Sequence, residues 1–209
     1  MKITTTLNRV SLYEDCTPVL AKLLTQLGKK QADDEPLPFT MILDHNGLDD
    51  TLLCCQAEPQ HEELWWHFAV VCIESVKHMM SSRSLDILPA EWDWVKTQER
   101  LAAPPPPIWE SIGQGGPDLS ERAFQAIQAA RLTVFLAELN GNDPVGVAHA
   151  RAREAAAVAA MKMSCNKYTL AASHAVKAIE TPKVRTRVTE HFRRIVTAGW
   201  APVIVKEYR

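Results

Sequence analysis

The residues of this chain that could do chemistry are carboxylates, and they are concentrated. Asp33, Asp34, Glu35, Asp44, Asp49 and Asp50 punctuate the run DDEPLPFTMILDHNGLDD, and Glu58, Glu62, Glu63 and Glu74 follow. Between Gln31 and Val76 there are ten acids and not one Lys or Arg. Such a run admits three readings: a divalent-cation site, a surface that attracts a basic partner, or helix caps and solvated acids.

The metal reading fails on spacing. His61, Glu62, Glu63 and His67 lie close together, but a zinc-protease helix needs its second His four residues after the first, and position 65 is Trp. Asp44 and His45 with Asp49 and Asp50 carry the order of a metal phosphohydrolase in reverse, without its further His ligands. Cys54 and Cys55 are adjacent, which suits neither a two-residue redox gap nor relaxed disulfide geometry. No nucleophile-elbow glycine pattern accompanies a Ser and a His, and no glycine-rich phosphate loop precedes a Lys. The sequence therefore predicts no catalytic residues, no metal and no cofactor, with a metal-dependent hydrolase as the alternative of another class.

The remaining choice is between partner and caps. A field of acids without bases suits a basic protein by electrostatic steering, and it makes Asp33, Asp34, Glu35, Asp44, Asp49, Asp50, Glu62 and Glu63 the candidate partner-binding residues. The formal charge of the 209 residues is only −2, because eight bases and three acids follow from Lys177 onward. Arg185, Arg187, Arg193 and Arg194 read as a solvated helix face in preference to a nucleic-acid contact, since no helix-turn-helix or aromatic-basic interleaving accompanies them.

The elements that must position these residues are helical. Thr17 and Pro18 are N-cap and N1 of a helix whose stripe runs through Val19, Leu23 and Leu27 to Gly28. Pro36 and Pro38 open a short helix that Asn46 and Gly47 end in the left-handed conformation, and Asp49 caps the next helix, Asp50 to Ala57. Gln60 to Met80 is apolar nearly all round and reads as the buried axis. Ser81 to Ser84 is a break, Pro89 opens a helix from Ala90 to Leu101, and Pro104 to Pro107 with Gly113, Gly115, Gly116 and Pro117 form an extended connector. Helices follow over Leu119–Leu139 (ended by Asn140, Gly141 and Asn142), from Asp143 and Pro144 to Met163, over Tyr168–Ile179, and from Thr181 and Pro182 to Ala198. Only Ile3–Leu7 and Ala201–Arg209 alternate like strands, and the two could pair.

The expected fold is all-α, a single-domain bundle of about seven to nine helices with short terminal strands, divisible only at the connector at 103–117. Five cysteines inside apolar patterns and the absence of a signal-peptide core predict a cytoplasmic protein. No apolar run reaches the roughly 18 residues of a membrane span. Homo-oligomerisation stays open.

The stretch ADDEPLPFTMILDHNGLDDTL resembles the signature of an immunity-protein family found beside bacterial polymorphic toxins and scattered through phage genomes. The likeness extends to Cys16 with the helix through Leu27, Gly28 and Lys29, to FAVVCIESVKHMMSSRS, and to the alanine-rich run Ala148–Ala160, covering roughly residues 12–163. The chain departs from it at Thr51, Leu52 and Leu53, where an Ala and a Leu-Trp pair are expected. The resemblance implies an all-α protein that acts by binding, neutralising a toxin, or alternatively a phage-encoded inhibitor of a bacterial defence complex. It supplies no catalytic residues.

Overall fold

The computed structural model describes residues 2–86, 88, 117–139, 143–164 and 167–199, with the backbone alone for 117–123. The expected helix from Ala90 to Leu101, the connector at 103–117 apart from Pro117, the Asn140–Asn142 helix end, Cys165 and the strand at Ala201–Arg209 lie outside the described residues.

The described chain is all-α, with nine helices and two two-residue strands. In order these are β1 (Thr4–Thr5), α1 (Leu7–Val10), α2 (Thr17–Gln26), β2 (Leu37–Pro38), α3 (Phe39–Cys54), α4 (Glu62–Val76), α5 (Ser82–Leu85), α6 (Pro117–Leu139), α7 (Pro144–Ser164), α8 (Tyr168–Ala178) and α9 (Pro182–Ala198). Short 3-10 turns at Glu14–Cys16, Cys55–Ala57, Pro59–His61 and Lys77–Met79 join or flank them.

α4 is the axis. Every side chain from Trp65 to Val76 is buried, as its all-round apolar pattern requires. α8 packs on α4, α3 and α7, α9 packs on α3 and α4, and α6 lies against α7. Buried alanines, Ala156, Ala159 and Ala160 on α7 and Ala171, Ala172 and Ala175 on α8, let helix backbones approach where larger side chains would hold them apart. On the other side of α4 an aromatic cluster fills the space. Trp65 stacks on Phe192 at 6.2 Å, Phe68 meets Phe192 edge-on at 5.0 Å, and Phe39 tilts against Trp65 at 5.6 Å. At about 1.5–3 kcal/mol for each fully buried large apolar side chain, this cluster is a main source of the fold's stability.

Four local expectations are corrected. Pro36 and Pro38 do not start a helix: Pro38 holds ψ at 137, and Leu37–Pro38 pairs antiparallel with Thr4–Thr5 before α3 begins at Phe39. The N-terminal strand thus finds β2, and the Ile3 N–H donates to the Val196 carbonyl at 2.8 Å, tying it to α9 as well. The 3-10 turn at Glu14–Cys16 shifts the start of α2, so Cys16 is the cap residue, Thr17 is helical, and Pro18 takes the second position. Ser81–Ser84 is not a break: Ser81 caps the four-residue α5, accepting from the Ser84 N–H at 3.2 Å.

The fourth correction concerns the focal stretch. Gly47 has positive φ as expected, but with φ 78 and ψ 178 it is in the mirror-extended region, not the left-handed helical one. Helix resumes at once at Leu48, so α3 is one element with a kink, and Asp49 and Asp50 both lie in the first turn beyond it. Asp49 is therefore not a cap residue; the non-helical residue before that turn is Gly47.

Candidate functional site

The acids of α3 on both sides of the Gly47 kink pair with bases of neighbouring helices. Before it, Asp44 Oδ1 accepts from Arg193 Nη2 of α9 at 2.7 Å. Beyond it, Asp49 pairs with Arg185 of α9, and Asp50 Oδ2 accepts from Lys22 Nζ of α2 at 2.7 Å. Arg185 also donates to the Val176 carbonyl at 3.1 Å, which fixes its head between two helices. Ahead of α3, Lys29 Nζ reaches Asp33 at 2.7 Å and Glu35 at 2.6 Å. The bond from Lys29 holds the Asp33 carboxyl below its ordinary range, and Asp33 with Glu35 raises the Lys29 ammonium.

Two further acids are interior. Glu58 is fully buried, and its Oε2 accepts from Arg9 Nη1 at 2.8 Å and from Gln60 Nε2. Glu74 is buried and receives Lys77 Nζ at 3.1 Å. Seven of the ten carboxylates of the base-free stretch thus meet a base in space, Asp33 and Glu74 from lysines just beyond its two ends and Asp44 and Asp49 from arginines of α9. Arg185 and Arg193 are correspondingly not a solvated face, since they neutralise α3. Of the sequence-predicted partner-binding residues, Asp34, Glu62 and Glu63 make no ion pair with a described residue.

The histidines separate. His61 precedes α4 and lies edge-on to Trp65 at 6.1 Å, whereas His67 is buried and faces His191 of α9 at 6.1 Å between ring centres. Burial holds His67 at about 4, and burial with the neighbouring His67 and Arg194 holds His191 at about 3, so both rings are neutral at ordinary pH. Among the described residues no group of three or more His, Cys, Asp or Glu converges as a metal site. Asp44, Asp49 and Asp50 each turn to a different cation. The described cysteines, Cys16, Cys54, Cys55 and Cys72, are buried as small hydrophobes, and Cys16 donates to the Leu53 carbonyl at 3.3 Å. A bond from the Cys54 thiol lowers that of Cys16, and the same contact with burial raises that of Cys54.

Two of the clefts among the described residues are lined by carboxylates. One of about 510 Å³ lies between the end of α4 and the α8–α9 junction; its Glu74 and Lys77 form an ion pair, and its Glu180 is hydrogen-bonded to His149 at 2.9 Å. Another of about 320 Å³ opens between the Glu14–Cys16 turn, the start of α4 and the start of α8. It brings Glu62 together with Asp15, Tyr13, Trp65 and Tyr168, which sequence reasoning did not group. No local sequence signal links them, since Lys22, Lys29 and Lys30 separate Asp15 from the base-free stretch that holds Glu62. No described helix is long and apolar enough to cross a membrane. Comparison with protein-family models, with curated proteins and with solved structures finds no match.

Proposed function

We propose that this chain works without catalysis, by binding a basic protein partner, and that its role is that of an immunity protein neutralising a toxin. The observation that carries the reading is the residue of charge left after internal pairing. Asp34, Glu62 and Glu63 are acids that no described base neutralises, and Asp34 lies within the stretch that resembles the immunity family's signature. Unpaired surface carboxylates steer a basic partner at long range, whereas paired ones cancel within a few ångströms. Asp33, Glu35, Asp44, Asp49 and Asp50 contribute to binding chiefly by exchanging an internal base for one of the partner's.

The test is co-expression with candidate toxins of bacterial polymorphic-toxin systems, followed by association kinetics at low and high salt. Protection of the host is expected, with an association rate that falls at least tenfold when Asp34, Glu62 and Glu63 are all replaced by Lys. The defect should shrink as salt rises. A folded triple variant that associates at the wild-type rate at low salt would remove the acids from the binding face. Absence of protection together with absence of binding would end the immunity reading.

A further inference from the structure

The cleft beside α4 differs from the rest of the acidic region in having aromatic walls. Trp65 and Tyr168 are nearly fully buried and give the cleft a firm base with little open ring surface, whereas Tyr13 is half-buried and exposes more of its ring. The Trp65 indole N–H donates to the Glu58 carbonyl at 2.9 Å and the ring stacks on Phe192, so this wall is fixed from behind. At the margin lie Asp15, which is exposed, and Glu62, which is half-buried, and neither makes an ion pair with a described residue. Lys167 is the one cation among the lining residues. Two carboxylates against one ammonium leave the margin negative.

A rigid aromatic floor under a negative rim is selective chemistry. An anion is repelled by the rim, and a neutral apolar group gains nothing from it. A flat cation satisfies both, because its face can stack on the half-exposed Tyr13 ring while its N–H groups donate to the carboxylates. Guanidinium suits this better than ammonium, being planar, weakly hydrated and able to donate in two directions at once. The volume of about 320 Å³ is at the lower end of the roughly 300–1,000 Å³ of small-ligand sites, suited to one side chain and not to a helix.

We propose that this cleft receives the arginine side chain of a protein partner, stacked on Tyr13 with its guanidinium held by Asp15 and Glu62. The assignment rests on the protein-binding reading above and names the side chain such a partner brings. Asp15 and Glu62 are its anchors, and Lys167 opposes the bound charge.

The probe is N-acetyl-L-arginine amide, titrated into the full-length ¹⁵N-labelled chain, with the neutral isostere N-acetyl-L-citrulline amide as control. Saturable shifts are expected at the Trp65 indole and at the backbone amides of Lys167 to Leu170, with none from citrulline amide at equal concentration. The double variant Asp15→Asn, Glu62→Gln should bind at least tenfold more weakly, and Lys167→Gln severalfold more tightly. Both change surface charge without removing buried groups, and melting curves verify their fold. Equal binding of citrulline amide, shifts elsewhere, or a double variant that binds like wild type would overturn the assignment. The two readings fail separately: a cleft that binds the probe in a protein that ignores the toxin leaves the cleft standing without the immunity role, and toxin binding without probe binding does the reverse.

Discussion

Where α9 crosses α3, the acids Asp44 and Asp49 each meet an arginine, and beneath them Phe39, Trp65 and Phe192 are buried in contact. On the outer flank of α6, Phe124, Leu132, Phe135, Leu136 and Leu139 are each at least 50 % exposed, while Arg131 and Glu138 are bridged to Glu154 and Arg151 of α7. The first flank looks polar in sequence yet satisfies its own charge. The second has its charges matched too, but leaves large apolar groups bare. The difference teaches that a run of like charges in sequence is a statement about one element, whereas surface charge is a property of the elements packed together.

The comparison is broken most severely at its aromatic floor. Phe192→Ala should cost about 3–5 kcal/mol, by lost transfer energy and the cavity left against Trp65 and Phe68. Phe135→Ala on the outer flank should shift stability by no more than about 0.5 kcal/mol. Urea melts of both variants measure the ratio; similar losses would mean that α6 is as tightly packed as α9.

Acid should act next in size, through the buried histidines. His67 at about 4 and His191 at about 3 lie below the ordinary value near 6.5, so the unfolded chain binds more protons than the folded one between these limits. The sign follows: stability is fully present above about pH 6.5 and is lost as pH falls toward 4. For His67 alone the loss is on the order of 3 kcal/mol, and the two adjacent rings share their penalty and do not double it. Denaturation midpoints against pH give the slope, which His191→Gln should reduce; an unchanged slope in that variant would assign the acid sensitivity to carboxylates.

Gly47→Ala comes third. No atom lies within 4 Å of an added Cβ, so the expected cost of about 1–3 kcal/mol is backbone strain alone. Gly47→Asn should be no better, because Asn tolerates the left-handed helical region and not this one; rescue by Asn would show that the kink relaxes to that region.

The smallest effect is the charge matching itself. A double-mutant cycle of Asp44→Asn with Arg193→Gln should return a coupling of about 0.2–1 kcal/mol that declines with salt, since both side chains are more than one-third exposed. A coupling above 2 kcal/mol would mean that the pair is far less hydrated than its exposure indicates.

The helices were legible wherever one segment carried its own signal. The all-round apolar run of α4, Asp143 bonding the Gly146 N–H at 2.9 Å ahead of α7, and Gly28 and Gly199 at positive φ past their helices were all readable from local chemistry. β2 was not legible, because Pro38 suits an extended residue as well as a helix start and the choice depends on Thr4–Thr5, over thirty residues away in sequence. The base-free stretch was legible as composition, but its neutralisation was not. Asp49 and Arg185 are 136 residues apart, and no periodicity links them.

That separation sets a clock. At roughly 5–20 residues per second, a growing chain carries α3 for on the order of ten seconds before α9 exists to neutralise it. Through that interval Phe39 and Trp65 wait for Phe192, the Ile3 amide waits for the Val196 carbonyl, and Asp44 and Asp49 repel one another across a kink with no arginine between them. Completion of the described core belongs to α9, so the nascent chain stays an open acidic scaffold until α9 arrives to close it.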